Sequence, residues 1–193
     1  MIYYEAKDFP VDGLEATGQD VKVHVPKGAK MRGYKLFGDQ GGSITVAGDG
    51  DGSAVRSGKG KGDAYRYGAG DGGAWRSGTG NGNAHRDGKG KGDAYRSGDG
   101  AGVAGRSGKG KGHAYRSGAG DGNARRSGEG EGSAHRYGAG DGIACRHGTG
   151  DGHAWRWGAG KGNAYRYGEG DGEIEEKRIG NGTTVEQARA CND

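Results

Sequence analysis

Arginine recurs at every tenth position through the middle of the chain, and the residue before it is usually an aromatic ring or a histidine. A guanidinium can bind phosphate, carboxylate or several carbonyl oxygens, and aromatic rings stack on one another or on the flat faces of a ligand. Two kinds of candidate binding residue therefore share one period. The arginines are Arg56, Arg66, Arg76, Arg86, Arg96, Arg106, Arg116, Arg126, Arg136, Arg146, Arg156 and Arg166.

The arginines belong to a decapeptide, G-x-G-x-G-x-A-x-R-x, that fills residues 48–167 in twelve units without an insertion. Composition alone is typical of disorder, because the chain has 50 glycines and only 17 Leu, Ile, Val and Phe residues. A period kept this strictly indicates stacked structural repeats instead. We therefore predict an ordered solenoid.

The even period fixes which residues point inward. Side chains alternate across a strand, so Gly, Ala and Arg share one face in every unit and the variable residues share the other. Small constant residues fit the inside of a very narrow coil. The predicted fold is an all-β, ten-residue-per-coil β-solenoid, with two short strands and two turns per coil, a small N-terminal cap and a short C-terminal cap.

The same parity puts arginine inside, where a charged group needs partners. In one interpretation the arginines lean outward at a bend and form a cationic row. In the other they cross the space left by glycine and donate to carbonyls at the far turn. Apolar Leu36 and Val46 occupy the arginine slot of the first coils, and Ile174 and Glu176 take the alanine and arginine slots at the other end. These residues favour the inward, scaffold position and an apolar plug at the N-terminal end.

The flanks divide the chain into four regions. Residues 1–37 hold an alternating strand pattern and most large aliphatic residues, which predicts a cap or subdomain. Residues 38–47 read as a degenerate first coil, residues 48–167 as the repeats, and residues 168–193 as a C-terminal cap with a short helix over 184–190. Caps are expected because an uncapped solenoid exposes strand edges.

Aromatic side chains on the variable positions are the candidate binding surface. Stacked rings can simply stabilise a sheet, or they can offer a flat surface to bases, sugars or a protein. The candidate strip consists of Tyr65, Trp75, Tyr137, His147, Trp155, Trp157, Tyr165 and Tyr167.

The net charge and the cysteine content exclude few classes of binding partner. A net charge of +4 permits a polyanion partner without requiring one, and mixed Lys and Asp rows look like ordinary solvation. Cys145 and Cys191 lack metal-ligand spacing. The N-terminus has acidic residues where a signal peptide needs a basic start and an apolar run, and no stretch is long enough for a membrane span. We expect a cytoplasmic protein without a signal peptide.

Catalytic and metal motifs are weak. Gly-Asp-Gly steps lack the nine-residue period of calcium-binding rolls, and the histidines are scattered over the outer rows. No nucleophile and base can be paired on so thin a rod, so the sequence predicts no enzyme, no cofactor and no metal site.

The GxGxAxRxGx unit resembles the glycine-rich decapeptide-repeat proteins of bacteriophages and bacteria, whose function is mostly unassigned. A ten-residue coil also resembles the architecture of midge antifreeze proteins, although the bracing cysteines of that family are missing here. We expect a non-enzymatic scaffold or binding rod, phage-associated by resemblance, with a protein or nucleic acid partner. Ice or carbohydrate binding, and a self-assembling spacer, remain open alternatives.

Overall fold

A computed structural model describes residues 1–160 and 162–177, and it confirms the predicted all-β solenoid class. The predicted helix over 184–190 and Cys191 lie outside the described residues. The strands are β1 (Ile2–Glu5), β2 (Leu14–Glu15), β3 (Val21–His24), β4 (Gly33–Phe37), β5 (Ile44–Ala47), β6 (Ser53–Ser57), β7 (Ala64–Tyr67), β8 (Ala74–Ser77), β9 (Ala84–Asp87), β10 (Ala94–Ser97), β11 (Ala104–Ser107), β12 (Ala114–Ser117), β13 (Ala124–Ser127), β14 (Ala134–Tyr137), β15 (Ala144–His147), β16 (Ala154–Trp157), β17 (Ala164–Tyr167) and β18 (Ile174–Lys177).

The strands form two parallel nine-stranded sheets. Sheet A contains the odd-numbered strands and sheet B the even-numbered ones, each in chain order. Within the repeats the strand residues pair with those 20 positions further on, so that Ala94 lies beside Ala114 and Arg96 beside Arg116. At about 4.8 Å per strand, nine strands make a rod about 38 Å long.

Each coil therefore contains two decapeptides. Ten residues carry the chain through one strand and one turn to the opposite sheet, and the next ten bring it back. The prediction had placed two strands and two turns inside a single decapeptide. A four-residue strand followed by the glycine-rich segment completes only one reversal, so alternate repeats enter opposite sheets.

Two sets of turns form the edges of the rod. The A-to-B edge consists of the turns that leave sheet A, such as 88–92, and the B-to-A edge of those that leave sheet B, such as 58–62. The backbone passes very close to the preceding coil here. Gly58 has φ of +116°, and a Cβ at this position would collide with the Gly38 carbonyl oxygen.

The parity prediction is confirmed, because the alanine and arginine of each unit face inward. The repeat alanines are 0–3% exposed, and the residue between Ala and Arg faces outward in most units. In the N-terminal coils the interior is apolar instead. Leu36 lies in register with Arg56 and Val46 with Arg66, and both apolar side chains are fully buried.

The segment 1–37, predicted as a cap, continues both sheets. Strand β1 pairs with β3, β3 with β5, and β2 with β4. Its interior centres on Phe9, which contacts the rings of Tyr4 and Tyr34 edge-on, with both centroid distances 5.4 Å. Arg32 lies over Phe9 and Tyr34 and donates to the Ala6 and Phe9 carbonyls. The described residues include no helix long and apolar enough to cross a membrane.

Candidate functional site

The repeat arginines lie in a cradle of backbone carbonyls, most of them from glycines of the coil below. Arg66 donates from Nε to the Gly52 carbonyl at 2.6 Å, from Nη1 to Gly48 at 3.1 Å and from Nη2 to Gly50 at 2.6 Å. Its Nη1 also donates to the carbonyl of Tyr67. The three glycines of the repeat are thus the three acceptors of the guanidinium, which explains why GxGxG and Arg occur together.

The cradle recurs along both sheets. Arg76 uses Gly58, Gly60 and Gly62 in the same way, and adds a bond from Nη2 to Gly80 in its own coil. The eleven arginines from Arg56 to Arg156 are 0–1% exposed, and Arg166 near the C-terminal end is half-buried. The predicted inward position is confirmed. The carbonyls, however, belong to the turn beside the arginine's own strand rather than to the far turn.

The buried guanidiniums form two cationic columns. No carboxylate lies within ion-pair distance of the ten arginines from Arg56 to Arg146 in the described part of the chain. The pKa of Arg86 is lowered to about 10, chiefly by burial and then by the neighbouring Arg106 and Arg66, with Asp87 and Asp71 opposing the shift. The side chain therefore stays charged at neutral pH, held by carbonyl dipoles.

Because eleven arginines are buried, the formal net charge of +4 does not describe the charge of the protein surface. Outside the eleven buried arginines, the sequence has 18 basic and 25 acidic residues, a formal balance of −7. The eleven buried arginines cannot contact a phosphate, because their donors face inward. The interleaved arginine and ring pattern therefore provides no cationic row for nucleic acid.

The predicted aromatic strip is divided between two faces. Trp75, Tyr137, Trp155 and Trp157 lie on sheet B, and Tyr65, His147, Tyr165 and Tyr167 lie on sheet A. A single strip would need successive repeats on one side of the rod. Since successive repeats alternate between sheets, only every second unit can contribute to one face.

Sheet B carries the continuous series of rings, which we call the aromatic face. Its central column is Trp75, Tyr95, Tyr115, His135 and Trp155, with neighbouring centroids 4.7–6.1 Å apart. Four more rings flank this column: His113, His153, Tyr137 and Trp157. The corresponding column of sheet A is interrupted by Gly105, Arg125 and Cys145.

Stacking within the aromatic face also supports the sheet. The rings of Tyr115 and His135 lie 10° from parallel at 4.7 Å, so much of their flat surface is covered by each other. Exposed ring surface is largest toward the two ends, where Trp75 is 45% and Trp157 36% exposed. The face thus combines a stacked centre with accessible tryptophans.

His135 is the most buried ring of the face, at 6% exposure. Its pKa is lowered to about 4, chiefly by burial and then by nearby His113 and His153. The His113 ring centroid is 5.9 Å away. His135 is therefore neutral at pH 7, and acid would place positive charge inside the stack.

A function of the variable polar residues was missed by the sequence analysis. On both edges, Asp and Asn side chains accept a hydrogen bond from the backbone N–H of the residue 20 positions later. Asp71 accepts from Lys91 at 2.7 Å, and Asn81 accepts from Ala101 at 2.9 Å. The mixed charged rows therefore cap backbone donors as well as face solvent. The sequence signal that could have revealed these caps is the recurrence of Asp or Asn at an offset of 20 residues.

Among the described residues, no group of three His, Cys, Asp or Glu side chains could hold a metal ion. The chain matches no protein-family model, and comparison with curated proteins and with solved structures also gave no match.

Proposed function

We propose that the protein is a non-enzymatic binding rod that docks a partner protein on the aromatic face. The observation that carries this proposal is the composition of the outward positions of sheet B from residue 53 to 157. Asp93 is their one charged residue, and the others are Ser, Tyr, Trp, His, Val and Gly. The cores of protein interfaces are depleted in charge and enriched in Tyr and Trp, and antibody binding loops combine Tyr with Ser and Gly.

The rigid interior supports the same role. Side chains on a continuous parallel ladder are held in place before binding, so little conformational entropy is lost when a partner docks. The phage-associated setting rests on the resemblance of the repeat, and with it the cytoplasmic or phage-associated location.

Nucleic acid is the less favoured partner, because no Lys or Arg occupies the outward positions of this face between residues 53 and 157. Ice binding is disfavoured by the unequal sizes of the side chains. Carbohydrate binding would use the same accessible rings, and it is the alternative if the experiment below captures no protein.

Site-specific photo-crosslinking tests the proposal. A benzophenone amino acid is placed at Ser97 on sheet B, or at the equivalent Ser107 on sheet A, in cells that produce the protein. We expect a protein adduct from position 97 that is absent from position 107. The captured protein, once purified, should bind the unmodified chain.

The variant Trp157→Ser then localises the contact. Serine is the residue already found in this column at Ser77, Ser97 and Ser117, so the fold should tolerate it. Its affinity for the purified partner should fall about tenfold or more, whereas Tyr167→Ser on sheet A should change little. Equal crosslinking at both positions, or retained affinity in Trp157→Ser, would contradict the proposal.

A further inference from the structure

The sequence Lys-Gly-Lys occurs three times, at 59–61, 89–91 and 109–111. Because one coil contains two repeats, the second and third copies lie directly above one another on the A-to-B edge, 20 residues apart. The first copy lies alone on the B-to-A edge. Four lysines thus form a compact cluster, Lys89, Lys91, Lys109 and Lys111, which we call the lysine cluster. Adjacent coils are separated by about 4.8 Å.

The cluster lines an open groove of about 480 Å³ on this edge. Lys109 and Lys111 contact Glu129 and Glu131 of the next coil at 3.0 and 2.8 Å, and all four of these side chains are largely exposed. Exposed pairs of this kind contribute little stability, so a stronger anion can displace the carboxylates. Lys89 and Lys91 have no carboxylate within ion-pair distance among the described residues.

The backbone beneath the lysines offers a second anion-binding feature. Elsewhere on the edges an Asp oxygen accepts the N–H of the next coil at 2.7–3.3 Å, as Asp51 does for Asp71 and Asp99 does for Ala119. The N–H groups of Lys109 and Lys111 face the positions of Lys89 and Lys91, which have no acceptor. Neither N–H has a hydrogen-bond partner in the described residues.

We propose that the lysine cluster binds a chain of closely spaced phosphates, with phosphate oxygens occupying the places that Asp carboxylates occupy in other coils. Four ammonium groups supply the charge, and the free N–H groups supply directed donors, as in other backbone anion sites. A phosphate chain fits better than a peptide, because carboxylates on one face of an extended peptide are about 6.6–6.8 Å apart. The site does not depend on the aromatic face.

Titration calorimetry with inorganic tripolyphosphate tests this site on the full chain at low ionic strength. We expect saturable binding that weakens with salt. The double variant Lys89→Asp, Lys91→Asp places carboxylates where other coils already have them, so it should fold and lose at least about tenfold in affinity. Circular dichroism and thermal unfolding verify the fold.

The matched control is Lys59→Asp, Lys61→Asp. It makes the same change in net charge at an identical Lys-Gly-Lys turn, where the Lys59 N–H is already capped by Asp39 at 3.0 Å. Its affinity should stay within about twofold of the original. Absent binding to the unmodified chain, or equal losses in both double variants, would overturn the proposal. So would equal affinity for hexaglutamate, which would indicate a peptide site, or for orthophosphate, which would remove the need for a chain.

Discussion

The N-terminal coils and the repeat coils use the same two sheets with two different interiors. In one column of sheet A, Val23 and Val46 are followed by Arg66, and in sheet B Leu36 is followed by Arg56. The apolar coils are stabilised by burying hydrocarbon. The arginine coils have little hydrocarbon to bury and depend on carbonyls aimed at a cation.

The two interiors explain why the turns vary in sequence in the N-terminal coils and are nearly constant in the repeat coils. An apolar interior accepts varied turns, and the turn below Val46 contains Pro26. An arginine interior needs three inward carbonyls in each turn, and the close approach of successive turns excludes a Cβ there. Gly60 illustrates this, because a Cβ would collide with the Gln40 and Asp39 carbonyl oxygens. The strict GxGxG therefore accompanies the arginine interior, although the first arginine, Arg56, still uses the carbonyl of Gln40.

Replacing one buried arginine should give the largest effect. Arg96→Leu removes the charged donor to Gly80, Gly82 and Gly100 from the interior. The Gly82 carbonyl loses its partner, whereas Gly80 and Gly100 keep only the bonds from Arg76 and Arg116. We expect a loss of about 3–5 kcal/mol in the free energy of unfolding, measured by urea denaturation. Arg125→Leu is the control, because Arg125 faces solvent and its loss should cost under about 0.5 kcal/mol. Similar losses in the two variants would contradict the cradle.

Truncating the apolar end should cost somewhat less. Leu36→Ala leaves a cavity next to Arg56 without stranding a polar group, and we expect a loss of about 2–4 kcal/mol. Leu36→Met, which nearly conserves volume, should cost under about 1.5 kcal/mol. An effect of Leu36→Ala below that of Leu36→Met would show that this end lacks a packed interior.

The aromatic face should make stability depend on pH. The pKa of His135 is about 4 in the folded chain and 6.5 when exposed, so between these values the unfolded chain binds more protons. Stability is therefore full above pH 6.5 and falls as the pH drops toward 4, by at most about 3 kcal/mol. Urea denaturation at several pH values measures the slope, and His135→Gln should reduce it. An unchanged slope in His135→Gln would assign the dependence to other groups.

The smallest effect should come from the edge caps. Asp71→Ala removes the acceptor of the Lys91 N–H, which is partly accessible to water, and should cost about 1 kcal/mol. Asp71→Asn keeps an acceptor oxygen, as Asn81 and Asn123 do in their own columns, and should be nearly neutral. Equal losses in Asp71→Asn and Asp71→Ala would indicate that the charge, rather than the hydrogen bond, matters here.

Parity was enough to predict the buried side chains but not the length of the coil. An even period keeps Ala and Arg inside whether a coil has ten residues or 20, so the burial of Arg66 and the apolar slot at Val46 could be predicted. The grouping of the outer residues could not follow from parity. This grouping is visible in the sequence only when alternate units are compared. The rings then run unbroken from Trp75 through Tyr95 to Trp155, and Lys-Gly-Lys recurs at 89 and 109.

Hydrogen exchange at the arginine Nε–H groups is the sharpest test of whether the repeat arginines are enclosed donors to backbone carbonyls. Nuclear magnetic resonance of the ¹⁵N-labelled protein resolves these side-chain groups. Slow exchange is expected for the seven buried Nε–H groups that donate to a glycine carbonyl, and rapid exchange for exposed Arg125. The seven belong to Arg56, Arg66, Arg76, Arg96, Arg126, Arg136 and Arg156. Rapid exchange at all of the arginines would place the guanidiniums in solvent and contradict the carbonyl cradle.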